Sequence, residues 1–107
     1  MNFLASLPDA SQAEQVTELL TRKNVRIERI VSQGQCSAVD DWYDQSEDEW
    51  VMVIKGKARL ELDDGQLIEM GPGDSIFLQA HQRHRVDWTT PDEPTLWLAV
   101  FFEHQPA

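Results

Sequence analysis

The stretch Trp50-Val51-Met52-Val53-Ile54, flanked by Glu49 and by Lys55-Gly56, decides the fold. An apolar run this short, with Val51, Val53 and Ile54 branched at Cβ, suits a strand covered on both faces better than a core helix. Working outward, the chain keeps a period of two. Ala58, Leu60 and Leu62 alternate with Arg59, Glu61 and Asp63, as in a strand with one face in water. Asp63-Asp64-Gly65 is a hairpin signal, and Gln66 to Met70 returns. Gly71-Pro72-Gly73-Asp74 then puts proline second and glycine third, as a type II turn requires. Val25, Ile27 and Ile30 mark an earlier strand, and Ser75 to Leu78, Arg83 to Trp88 and Thr95 to Phe102 complete the set.

The first 24 residues read differently. Ser11 followed by Glu14 matches a capping box, and Ala13, Val16, Leu19 and Leu20 fall on one helical face. A short amphipathic helix is predicted over roughly residues 11–22, packed on a barrel formed by residues 25–107. Short strands, dense turns and one helix give an all-β sandwich or barrel in a single domain.

Acids outnumber bases 19 to 9, for a formal charge of −10. Nucleic acid is excluded as a partner, because neutralising phosphates takes a basic surplus. An anionic membrane surface is disfavoured for the same reason. Cys36 is the single cysteine, so neither an internal disulfide nor a cysteine-based metal site is expected. The opening Met1-Asn2-Phe3-Leu4-Ala5-Ser6-Leu7 has no basic leader, and no apolar stretch is long enough to span a bilayer. A cytoplasmic location is the default expectation.

Two blocks resemble the cupin motifs. Glu49 to Gly56 is similar to the end of the first, a glutamate, six residues and a glycine. The frame of the second falls on Gly73, on Gln79-Ala80-His81, on His84 and on Trp88. Phrases such as Trp42-Tyr43-Asp44-Gln45 and Ala80-His81-Gln82-Arg83-His84 are also similar to a branch of small single-barrel cupins largely without assigned activity. The resemblance implies a cupin-type double-stranded β-helix, or jelly-roll barrel, and a homodimer. It also implies a metal held by an H-x-H pair, the glutamate and the second-motif histidine. The chain departs from that set: the H-x-H places hold Tyr43 and Gln45, or Trp42 and Asp44, and Trp88 replaces the second-motif asparagine.

Strand periodicity speaks to the same site independently. His84, Val86 and Trp88 share one face, so the imidazole is expected inside the barrel, where its ring nitrogens need partners. Glu49 is the expected inward carboxylate. One reading makes Glu49, His84 and His81 ligands of a divalent iron, manganese, nickel or zinc ion. In that case the resemblance implies dioxygenation or isomerisation of a small organic acid or sugar-like compound, with Tyr43 as a proton donor. The other reading is a metal-free pocket lined by Tyr43, Gln45 and Trp88 that binds or senses a small molecule through a Glu49–His84 contact. A third is an interaction barrel whose pocket is vestigial. The four tryptophans, Trp42, Trp50, Trp88 and Trp97, with Phe101 and Phe102, are read most simply as core and subunit contacts.

Overall fold

The structure, a computed structural model, describes residues 1–106. It is all β. The strands are β1 (Gln15–Arg22), β2 (Val25–Ser32), β3 (Glu47–Lys55), β4 (Ala58–Leu62), β5 (Leu67–Met70), β6 (Ser75–Leu78), β7 (His84–Thr89) and β8 (Thr95–Glu103). Five form one sheet in the order β1-β2-β8-β3-β6, and three form another in the order β5-β4-β7. All the pairings within them are antiparallel. No helix among the described residues is long and apolar enough to cross a membrane.

The expected N-terminal helix is absent, and its residues form β1 instead. Val16 pairs with Ile30 and Thr17 with Arg29, but the register shifts between Glu18 and Leu20. Leu19 is the extra residue of that bulge, and it leaves Val16, Leu19 and Leu20 at spacings of three and four. A bulged strand thereby imitates a helical stripe. The capping reading fails locally as well. Ser11 N–H donates to the Asp9 carboxylate at 2.8 Å, and the Glu14 carboxylate accepts from Ser32 Oγ at 2.8 Å rather than turning back on the chain.

The core lies between the two sheets. Val51, Val53, Ala58, Leu60, Leu62, Met70, Leu78, Trp97, Ala99 and Phe101 form one buried cluster. The run from Trp50 to Ile54 alternates within it. Val51 and Val53 are buried, whereas Trp50, Met52 and Ile54 point to the outer face and are only partly covered. On part of that outer face the N-terminal segment packs Phe3, Leu7 and Ala10 against Val31, Leu96 and Ile54. Arg29 is buried there, donating through Nη1 to the carbonyls of Phe3 and Ala5 at 3.2 and 3.3 Å.

The turns follow their residues. Gly73 has φ +90°, and Asp74 N–H closes on the Gly71 carbonyl at 3.0 Å. Gly56 links β3 to β4 at φ +90°, and a Cβ there would lie 2.5 Å from Thr95 Oγ1 and 2.6 Å from Thr95 Cα. Gly65, at φ +87°, has open space around it. Gly56→Ala combines left-handed strain with a clash against backbone and is expected to cost more than about 3 kcal/mol. Gly65→Ala meets the strain alone, about 1 kcal/mol. Urea denaturation of the two variants measures both costs, and equal losses would show that the Gly56–Thr95 approach is not a constraint.

Candidate functional site

A cavity of about 180 Å³ opens between the sheets. Its floor and walls are apolar, with Ile30, Val51, Leu60, Leu78, Val86, Trp97 and Phe101 among them. Its polar lining comes from Glu14, Glu28, Tyr43, Gln45, Glu49 and His84. Inward alternation explains most of this set. Glu49 pairs with Leu78 and Phe101, and Val51 with Ile76 and Ala99, all facing the interior.

Glu49 and His84 are the buried polar pair, at 8% and 5% exposure. Glu49 Oε1 lies 3.6 Å from His84 Nε2 and accepts from Gln45 Nε2 at 3.1 Å. His84 Nδ1 is 2.9 Å from the Gln82 carbonyl. A carbonyl only accepts, so Nδ1 carries a proton and the neutral ring presents Nε2 as an acceptor beside Glu49. Burial alone would push the His84 pKa down. The Glu49 carboxylate and the Gln82 carbonyl outweigh it, and the pKa stands above the ordinary histidine value. Its neighbours therefore favour the protonated imidazole, and the ring is the group in the cavity suited to carry a proton.

The neighbouring loops hold this pair. Tyr43 and His84 exchange backbone hydrogen bonds of 2.7 and 3.2 Å, and their rings stack at 5.4 Å. Tyr43 is half-exposed at the mouth. Partial burial raises its pKa, and Glu14, Asp41 and Glu49 raise it further, so the phenol remains a hydrogen-bond donor. The buried Asp48 carboxylate accepts from Ala80 N–H and lies against His104 Nδ1, both at 2.8 Å. It anchors the turn that supplies the Gln82 carbonyl to His84. A neighbouring cleft of about 190 Å³ is lined by Gln35, Cys36, Ser37 and Asp41, and shares Glu14, Tyr43 and Val86 with the cavity.

Two residues named for the site, His81 as a third ligand should its ring fold inward and Trp88 in the lining, are not among the residues lining the cavity. His81 takes φ +62°, as a residue replacing glycine in that turn must. Its Nδ1 sits 2.7 Å from Asp44, and its side chain is 69% exposed on the rim. Trp88 is turned outward by a bulge. Leu60 pairs with Val86 but Arg59 with Trp88, so Asp87 is the extra residue and the alternation flips. The Arg59 guanidinium lies 5.9 Å from the Trp88 ring. In return the structure adds Glu14, Glu28 and Trp97 to the lining. A strict period of two from Ile30 points to Glu28, whereas nothing in the sequence pattern points to Glu14.

The cupin domain matches residues 28–101, which hold strands β3 to β7 and the Glu49–His84 pair but leave β1 outside. This chain belongs to the cupin family. Its fold is shared with a solved protein from Ralstonia eutropha, provisionally named a mannose-6-phosphate isomerase, which is 46% identical over 96% of each chain with a TM-score of 0.92. A cupin superfamily protein from Desulfitobacterium hafniense has a TM-score of 0.78 at 18% identity, over 95% of this chain and 89% of that one. An L-ectoine synthase from Rhodococcus opacus is 31% identical over 68 residues, 63% of this chain and 49% of that enzyme. The chain thus spans about half the length of the curated relatives it matches.

Within this cupin, the three residues named as metal ligands do not all meet in the cavity. His84 and Glu49 are the histidine and carboxylate that meet inside, while His81 is engaged by Asp44 at the rim. Among the described residues no group of three or more His, Cys, Asp or Glu side chains is placed to hold an ion. Transition-metal sites ordinarily need three protein donors or more. The pair is instead a carboxylate–imidazole contact within an apolar cavity.

A raised histidine pKa means that the charged pair stabilises the fold fully below the unfolded value, near 6.5, and that this contribution fades as pH rises through the folded value. In an NMR titration, the His84 ring should titrate above the ordinary histidine range and move down in Glu49→Gln. An unchanged His84 midpoint in that variant would remove Glu49 as the cause.

Proposed function

We propose that this cupin binds one small organic molecule in the cavity, recognising it through Glu49, His84, Gln45 and Tyr43 without a metal ion. The observation that carries the reading is the buried Glu49–His84 pair set in an apolar cavity open to solvent beside Tyr43. A few convergent polar groups on apolar walls are the usual composition of a small-molecule site. The volume, about 180 Å³, suits an occupant little larger than benzene, which fills a cavity of about 150 Å³.

The residues divide the work. Glu49 accepts hydrogen bonds and holds its geometry through Gln45. His84 offers Nε2 as acceptor or donor according to its protonation. Tyr43 donates from the mouth, where its stacking on His84 also shields the pair from water. Proton transfer at a bound molecule falls to His84, with Glu49 supporting the imidazolium. The isomerase and synthase names of the relatives are compatible with such a step, but they assign neither a substrate nor a reaction to this chain.

A thermal-shift screen over amines, alcohols, polyols, carboxylic acids and sugar phosphates tests the reading. A compound present at a hundredfold excess over its Kd should raise the midpoint by roughly 10 °C or more. His84→Ala should weaken that compound about tenfold, since a buried partner is then left unpaired. Val86→Phe should abolish the shift by filling the cavity while keeping cooperative unfolding. No hit in any class, or a hit indifferent to Val86→Phe, would sink the proposal.

Metal content checks the other half. After incubation with iron, manganese, nickel or zinc and desalting, the protein should retain far less than one equivalent. Stoichiometric metal that disappears in His84→Ala would overturn the metal-free reading.

A further inference from the structure

The charges around the cavity are not balanced. Arg26 lies against its wall, with the guanidinium carbon 4.2 Å over the ring of the lining residue Phe101. That guanidinium is already engaged: Nε donates to Glu28 at 2.9 Å and Nη1 to Glu47 at 3.0 Å. His84 faces Glu49. No lysine or arginine is among the residues lining the cavity. Each cationic group nearby therefore already has its carboxylate, and one carboxylate of the lining is left over.

That carboxylate is Glu14. Among the described residues it forms no ion pair, and although it is exposed its carboxylate is held by a hydrogen bond from the interior. Trp97, which lines the cavity, donates Nε1–H to Ser32 Oγ at 3.2 Å, and Ser32 Oγ donates to Glu14 Oε2 at 2.8 Å. Ser32 is fully buried and Trp97 is 4% exposed, so the relay runs from the core to the mouth and fixes the Glu14 carboxylate there. Asp41 adds negative charge at the adjoining cleft, and both acids reach Tyr43 electrostatically. A phosphate or carboxylate entering here would meet fixed negative charge and no free guanidinium or ammonium group. A ligand cation would find a positioned counter-ion.

We propose that the cavity takes a small organic ammonium compound, its apolar body against the Leu60, Leu78, Val86 and Trp97 walls and its charge offset by Glu14. This rests on the cavity-binding reading above and narrows it to one chemical class. It also sets this chain apart from a sugar-phosphate site, which the provisional name of the Ralstonia eutropha protein would suggest for that protein.

Three molecules with one body and different charge test it: benzylamine, benzyl alcohol and benzoate, titrated by calorimetry into the whole chain at low salt. Benzylamine should bind about fivefold tighter than benzyl alcohol, the scale of a partly exposed ion pair. Benzoate should bind more weakly than either, and mannose 6-phosphate should give no heat. Glu14→Gln, which keeps an acceptor for Ser32, should reduce benzylamine to the affinity of the alcohol and leave the alcohol within twofold. Benzoate or the alcohol binding as tightly as the amine would overturn the charge assignment while leaving the cavity reading intact. An amine preference that survives Glu14→Gln would overturn the role of Glu14. If none of the benzyl compounds gives heat or raises the thermal midpoint, the cavity reading fails and this inference with it.

Discussion

A carboxylate and an imidazole buried side by side between two sheets must answer each other or cost the fold dearly. Much of the local architecture serves that requirement. Gln45 occupies one Glu49 oxygen, and the Gln82 carbonyl fixes the His84 tautomer. The turn bearing that carbonyl is pinned by Asp48, itself on β3 one residue before Glu49. Tyr43 completes the arrangement by pairing its backbone with His84, which ties an irregular loop to β7. Such a pair is weak evidence of stabilisation and better evidence of use, because an apolar replacement would serve the core as well.

The strands and turns of the barrel were legible because alternation and turn chemistry agree along most of the chain. Glycines at positive φ stand where the turns were expected, at Gly65 and Gly73. The misreadings have a common physical origin in two bulges. One at Leu19 disguised β1 as a helix, and one at Asp87 turned Trp88 out of the pocket that strict alternation had given it. A bulge adds one residue to one strand only, so it is invisible to any periodicity argument made from that strand alone. His84 lies before the β7 bulge, which is why period-two reasoning placed it correctly on the inner face and misplaced Trp88 four residues later.

Glu14 was illegible for a different reason. Its position depends on the pairing of β1 with β2, which brings Gln15 opposite Val31 and so sets Glu14 beside Ser32. That neighbour is distant in sequence, and local reading supplied Ser11 as a nearer but false partner. His81 shows the converse. Its turn position was read correctly, yet only tertiary contact could decide that Asp44, rather than Glu49, would take its ring.

These placements connect to the charge of the whole chain. Most of the arginines are engaged within the fold. Arg59 and Arg85 clasp Asp87 across β4 and β7, Arg85 also takes Glu61, and Arg26 joins Glu28 to Glu47. Arg29 is buried beneath the N-terminal segment, and Arg83 lies over the Trp42 ring. With 19 acids against 9 bases, such structural use of arginine leaves a surplus of carboxylates, and their location becomes the informative quantity. Most face water, where screening makes them nearly indifferent. Glu14 is exposed too, but a buried serine holds its carboxylate at the cavity mouth, so its charge has a fixed place there. The residue that leads into β1, an edge strand of the larger sheet, is therefore the carboxylate that the pairing of β1 with β2 brings to the cavity.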